Sequence, residues 1–91
     1  MGMSESTVQC WLVERDFDSR NIVTLVYATP DGSRYQQRER SGQSLQTGAE
    51  VTAAVDVPED ELEPVDDEET RDRYATEAER TAEQYGPDDP I

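Results

Sequence analysis

Two adjoining segments decide the fold: Val8-Gln9-Cys10-Trp11-Leu12-Val13 and Ile22-Val23-Thr24-Leu25-Val26-Tyr27-Ala28. Both are rich in β-branched and aromatic residues, which favour strands. Residues 18–21 between them, Asp-Ser-Arg-Asn, are turn formers. The stretch therefore predicts an antiparallel hairpin with strands at about 8–17 and 21–29.

A turn motif, Thr29-Pro30-Asp31-Gly32-Ser33, follows the second segment. It places proline at the first central position and glycine where a positive φ is needed, as in a type I turn closed by a bulge. The motif predicts a second hairpin, leading into a polar third strand at about 33–41. Farther along, valine and alanine alternate with other residues, which predicts a fourth strand at about 50–57.

The C-terminal third has the pattern of one amphipathic helix over about 67–85. Asp66 and Glu69 form a capping box at its start, and Gly86-Pro87 supplies the stop. The apolar side chains form one narrow stripe, consisting of Tyr74, Ala75, Ala78, Ala82 and Tyr85. Because most of these side chains are small, the helix is expected to pack close to the surface it covers.

These elements predict one α+β domain over residues 8–85. Its expected architecture is a three- to four-stranded antiparallel β-meander with one C-terminal α-helix packed on one face. Residues 1–7 are expected to be disordered, and residues 86–91 are expected to be frayed.

Composition points to an unusual solvent. The chain has 91 residues and a net charge of -14, with 22 acidic residues, eight arginines and no lysine. Such a charge in a chain poor in large apolar residues usually favours disorder. In about 1 M salt, however, the Debye length falls to about 3 Å, and self-repulsion is largely screened. The composition therefore predicts a folded, salt-dependent domain of a halophilic cytoplasm.

Several kinds of chemistry are not expected. The chain has no histidine and one cysteine, so the usual general base, Cys-His nucleophile pairs and cysteine-based zinc sites are missing. Cys10 alternates with Val8 and Leu12 and is expected to be buried. The acidic runs lack the spacing of an EF-hand loop and are interpreted as solvated faces. We expect no enzyme activity, no cofactor and no metal site.

No targeting segment is visible. Residues 1–5 lack the basic and apolar regions of a signal peptide, and no run of about 18 apolar residues could span a bilayer. The expected location is the cytoplasm, without a membrane partner.

The first two strands are apolar on both faces, whereas one narrow helix shields only one face. Either a protein partner or a second copy covers the other face, or the sheet curls tightly enough to bury both. The leading hypothesis is a non-enzymatic interaction module that uses an exposed apolar sheet face, with a homodimer as one form of it. Its hypothesised interaction face consists of Trp11, Val13, Phe17, Leu25 and Tyr27.

An arginine row on the third strand supports the alternative, a nucleic-acid-binding accessory protein. Strand alternation puts four side chains on one face, namely Arg34, Gln36, Arg38 and Arg40. Guanidinium groups at this spacing can hold phosphates, with nearby aromatic rings as stacking surfaces. The simpler interpretation is a charged edge strand that deters aggregation.

Three lysine-free segments carry a resemblance: residues 11–15, 25–32 and 71–75. They resemble segments of small acidic haloarchaeal proteins of unknown function. The resemblance implies a halophilic protein, and it implies no activity, so no residue role is transferred through it.

Overall fold

The computed structural model describes residues 6–41 and 51–91, and it shows an α+β fold. In this part of the chain, a five-stranded antiparallel sheet carries one C-terminal helix packed on it. The strands are β1 (Thr7–Phe17), β2 (Ile22–Ala28), β3 (Arg34–Ser41), β4 (Ala54–Pro58) and β5 (Glu63–Pro64), and the helix is α1 (Glu68–Gln84). A 3-10 turn, Glu59–Glu61, joins β4 to β5. The strand order is β4-β1-β2-β3-β5.

The α+β class and the C-terminal helix are confirmed, but the sheet has five strands rather than three or four. The first three strands and α1 begin and end within one residue of their predicted bounds. The short β5 pairs with the start of β3 and has no counterpart in the sequence prediction. The fourth strand starts at Ala54, and residue 50 lies outside the described residues, as do residues 1–5 at the predicted disordered end.

The turn between β2 and β3 forms as its motif predicts. Gly32 has a φ of 74°, and its N–H donates to the Thr29 carbonyl at 2.8 Å. The Asp31 carboxylate accepts bonds from the Thr29 hydroxyl and from both the N–H and the hydroxyl of Ser33. The Thr29 bond, followed by the two from Ser33, lowers the pKa of Asp31 to about 2. The turn is thus fixed by a carboxylate that is ionised at neutral pH.

A β-bulge in β1 changes which residues share a face. Leu12 pairs with Tyr27, but the next pair is Glu14 with Val26, so Val13 is the extra residue. Beyond the bulge, Phe17 lies on the same side of the sheet as Leu12. The prediction that Phe17 shares a face with Trp11 and Val13 is therefore wrong, because it assumed unbroken alternation.

One side of the sheet, the helix face, lies under α1. Its buried residues Trp11, Val26, Ala28 and Ala54 belong to the same apolar clusters as Tyr74 and Ala78 of the helix. The Thr81 hydroxyl donates to the Leu12 carbonyl at the bulge, at 2.9 Å. The predicted close packing is seen at Ala78, which is 1% exposed, whereas Ala82 is exposed to solvent.

The opposite side, the concave face, carries the other apolar cluster. Its buried residues are Cys10, Leu12, Val23, Leu25, Tyr27 and Val57. The two edge strands, β4 and β5, are joined by only four residues. Four strand spacings would place the edges of a flat sheet roughly 19 Å apart, whereas such a short connection with a 3-10 turn spans roughly 13 Å. The sheet must therefore curl.

Contacts of the 3-10 turn show how the curl is closed. The Glu59 N–H donates to the Ser6 carbonyl before β1, and the Glu59 carboxylate lies 3.9 Å from Arg34 on β3. Leu62, just after the turn, packs against the concave cluster. Of the two alternatives left open by the sequence, the structure thus favours a sheet curled around its own second core.

The last residues lie along the segment before β4. Three backbone bonds join them: Ile91 to Val51, Ala53 to Asp89, and Ala54 to Pro87. The side chain of Ile91 packs against both apolar clusters. The prediction of a frayed end at residues 86–91 is therefore wrong. The edge of the sheet presents backbone groups that need partners, and this tail supplies them.

The helix begins one residue later than its capping motif suggests. Asp67, and not Asp66, is the N-cap, and its carboxylate accepts from the N–H and hydroxyl of Thr70 at 2.9 and 2.7 Å. These bonds lower the pKa of Asp67. Within residues 6–41 and 51–91, no helix combines the length and the apolar character that crossing a bilayer requires.

Candidate functional site

Charges of opposite sign are sorted onto opposite sides of β1 and β3. The concave face receives all of their arginines, Arg15, Arg34, Arg38 and Arg40, while the acidic residues Glu14, Asp16 and Glu39 point to the other side. Leu25 of β2 pairs with Arg15 on β1 and with Arg38 on β3, so the two arginines lie on either side of it. The bulge causes this sorting in β1, because without it Arg15 would lie on the helix side and Glu14 and Asp16 on the concave side.

Two members of the predicted arginine row contact acidic side chains of the 3-10 turn. Arg34 lies 3.9 Å from Glu59, and the Gln36 side-chain amide donates to Glu61 at 2.9 Å. The row shares one face as predicted, but the 3-10 turn engages its first half. Arg38 and Arg40 form the second half, farther from that turn.

Arg38 covers the ring of Tyr27. Its guanidinium carbon lies 5.5 Å from the ring centroid, and its Nε donates to the side-chain Oε1 of Gln36 at 2.7 Å. Burial raises the pKa of Tyr27, and the charges of Arg38, Arg40 and Arg15 offset part of that rise. The ring is thus held beneath a cationic surface and stays protonated at neutral pH.

We define the arginine face as Arg15, Phe17, Arg38 and Arg40. Arg15 donates to the Ile91 carbonyl oxygen at 3.1 Å. Among the described residues, the ion pairs that form are Arg20–Asp18, Arg34–Glu59, Arg73–Glu14 and Arg80–Glu77. No side-chain carboxylate in that part of the chain pairs with Arg15, Arg38 or Arg40. Three positive charges are therefore available on one surface of a strongly acidic protein.

Phe17 adds an apolar contact to this surface. It is 63% exposed, and it is the one large apolar side chain exposed among the described residues. Register places it opposite Val23, which pairs in turn with Arg40. An exposed aromatic ring on the same face as several arginines is typical of a binding surface.

The hypothesised interaction face does not exist as one surface. Trp11 and Val13 lie beneath the helix, whereas Leu25 and Tyr27 lie on the concave face and are each 2% exposed. Of the five residues, Phe17 alone is exposed. That hypothesis is therefore corrected: the concave face is closed by the chain itself, and its accessible part is cationic.

Nucleophilic chemistry is disfavoured at the one thiol. Cys10 is buried, as predicted, and burial raises its pKa to about 11, which leaves it as an unreactive thiol at neutral pH. Across residues 6–41 and 51–91, no three acidic or thiol side chains converge as metal ligands.

Sequence reasoning identified Arg38 and Arg40 but missed Arg15. Arg15 reaches the face of Arg38 and Arg40 only because of the bulge at Val13. No glycine marks that bulge in the sequence, so the sequence did not predict it.

Comparisons with known proteins add a family but no activity. No curated protein and no solved structure matches the chain. A family model, described as a family of unknown function, matches residues 3–91, which is nearly the whole chain. The chain therefore belongs to that family, DUF7967.

Proposed function

We propose that the chain is a non-enzymatic binding module and that the arginine face is its contact surface. The observation that carries this proposal is the sorting of charge: three arginines without a side-chain carboxylate partner among the described residues share one face with an exposed Phe17. A chain of net charge -14 gains no solubility from grouping its few cations. Grouped cations do provide a site for an anionic partner.

The partner we propose is an acidic segment of another protein. Guanidinium groups bind carboxylates through paired, charge-assisted hydrogen bonds. Phe17 would then receive an apolar side chain of the same segment. A two-fold homodimer through this face is disfavoured, because it would place the arginines of one copy against the same arginines of the other.

Nucleic acid is the second candidate. Phe17 lies on the same face as Arg40, and an aromatic ring beside guanidinium groups is suited to stacking a base while holding phosphates. The rest of the acidic chain repels a polyanion, although molar salt screens this repulsion.

Neutralising the arginine face is expected to abolish partner capture. The variant carries Arg15→Gln, Arg38→Gln and Arg40→Gln. Its affinity should fall about 100-fold, since each charge-assisted contact is worth about 1 kcal/mol or more. The measurement is affinity capture from a native high-salt lysate, with mass spectrometry and nucleic-acid sequencing of the same eluate. A peptide copy of any acidic segment recovered is then titrated against the purified chain.

The matched control carries the same change in charge on other surfaces: Arg20→Gln, Arg73→Gln and Arg80→Gln. These side chains are exposed and form surface ion pairs, which contribute little to stability. The control should retain binding. Equal losses in both variants would remove the arginine face from the proposal, and recovery of nucleic acid by the wild type alone would favour the second candidate.

We further propose that the protein works in the cytoplasm of a halophile, at molar salt. Support comes from the composition, from the lysine-free resemblance, and from the structure's sparse charge compensation. Helix α1 has no basic residue in its last turn, where a positive charge would interact favourably with the helix dipole. The acidic surface is therefore expected to need screening.

Stability is expected to rise with salt. The free energy of unfolding, measured by urea titration with circular dichroism, should increase between about 0.1 M and about 1 M potassium chloride, because screening weakens self-repulsion. A variant with Glu79→Gln and Glu83→Gln, which removes two charges from α1, should show a smaller increase. A wild-type stability that is unchanged by salt contradicts the proposal.

A further inference from the structure

A groove lies between the start of α1 and the edge of the sheet formed by β3 and β5. It has a volume of about 250 Å³, which suits a small ligand. Its lining combines two aromatic rings, two carboxylates and a few apolar or hydroxyl groups, from Tyr35, Pro64, Val65, Asp66, Asp67, Thr70 and Tyr74. The groove is acidic and aromatic, whereas the arginine face is cationic.

Aromatic rings form one part of this lining. The centroids of Tyr35 and Tyr74 are 6.2 Å apart, and their planes are tilted by 59°. Both rings line the groove, and aromatic rings attract cations. The Tyr74 ring already contacts one cation, because the Arg73 guanidinium carbon lies 5.5 Å from its centroid. Arg73 itself does not line the groove.

Carboxylates form the other part of the lining. Asp67 uses its Oδ2 atom to cap the helix, through the N–H and hydroxyl of Thr70. Asp66 pairs with no cation and caps no helix among the described residues. The negative field of the whole chain adds to the attraction for a positive ligand.

We propose that this groove binds a small organic cation through its alkylammonium group. The rings of Tyr35 and Tyr74 contact the methyl or methylene groups around the nitrogen, and Asp66 supplies the opposite charge. The proposal is independent of the arginine face, which binds an anion on the other side of the sheet.

The test uses choline chloride as the probe, at constant ionic strength, with its neutral isostere 3,3-dimethyl-1-butanol as the matched ligand. The ring-proton resonances of Tyr35 and Tyr74 are followed by NMR. Choline should shift both sets of resonances in a saturable way, and the alcohol should not. Asp66→Asn should weaken choline binding about fivefold or more, as expected when a cation loses one of its contacts. Tyr35→Leu should weaken it to a similar extent.

Two control variants match these changes outside the groove. Asp72→Asn removes a carboxylate from the exposed surface of α1, and Tyr85→Leu removes a half-buried ring near the other end of the helix. Both should leave choline binding unchanged. Equal shifts with the alcohol, no saturable shift with choline, or full binding by Asp66→Asn would each overturn the proposal.

Discussion

Replacing Gly32 by alanine is expected to destabilise the protein by about 3 kcal/mol or more. Gly32 has a φ of 74°, which a residue with a Cβ adopts only at a cost. A Cβ there would also meet the backbone of α1, at the Arg71 carbonyl oxygen and at the Ala75 nitrogen, the latter at 2.7 Å. These are main-chain atoms of a packed helix, so they cannot move aside as a flexible side chain would.

The control for this prediction is Gly86→Ala. A Cβ at Gly86 first meets the Asp89 carboxylate at 3.4 Å, which is an ordinary contact. Thermal and urea unfolding in high salt should show a large loss for Gly32→Ala and a small change for Gly86→Ala. Similar midpoints for the two variants would mean that the turn does not pack against the helix as described.

The second large effect is expected at Ala78. Ala78→Leu should cost about 1–3 kcal/mol, because the larger side chain has to displace α1 from the sheet. Ala78 is buried against Trp11, Ala53 and Ala54. Alanine and leucine have similar helix propensities, so the effect isolates packing.

The matched control, Ala82→Leu, lies one turn farther along the same helix, at an exposed position. Its free energy of unfolding should stay within about 0.5 kcal/mol of the wild type. Urea titration in high salt measures both variants. A loss at Ala82 as large as that at Ala78 would place the sheet contact on a different stripe of the helix.

Much of the fold is readable from local pattern. The proline and glycine of the Thr29–Ser33 motif are enough to predict the backbone conformation of the turn. The apolar residues of the first strands and of the helix recur with a clear period. The details that escaped prediction depend on tertiary pairing. The bulge at Val13 has no glycine to mark it, and the two-residue β5 includes a proline, which sequence rules exclude from central strands.

The C-terminal tail shows the same limit. Residues 86–91 contain two prolines, a glycine and two aspartates, which read as a loop. They are held in place by backbone hydrogen bonds to Val51, Ala53 and Ala54. No local pattern in the tail sequence predicts these bonds.

The candidate sites divide in the same way. Arg38 and Arg40 were predicted to share a face, because alternation within one strand is enough to place them together. Arg15 joins them only through the bulge. The groove draws Tyr35, Asp66 and Tyr74 from a strand, a loop and a helix, so its residues are far apart in sequence and meet only in the folded chain.

The tail that runs beside β4 also bears on how a partner can bind. Strand addition requires a free row of backbone donors and acceptors at a sheet margin. At one margin, bonds to Pro87 and Asp89 already occupy Ala54 and Ala53, and at the other the final strand offers two residues, one of them a proline. Where the margins are covered in this way, a partner is expected to be recognised through side chains, and the covered backbone groups should resist edge-to-edge aggregation.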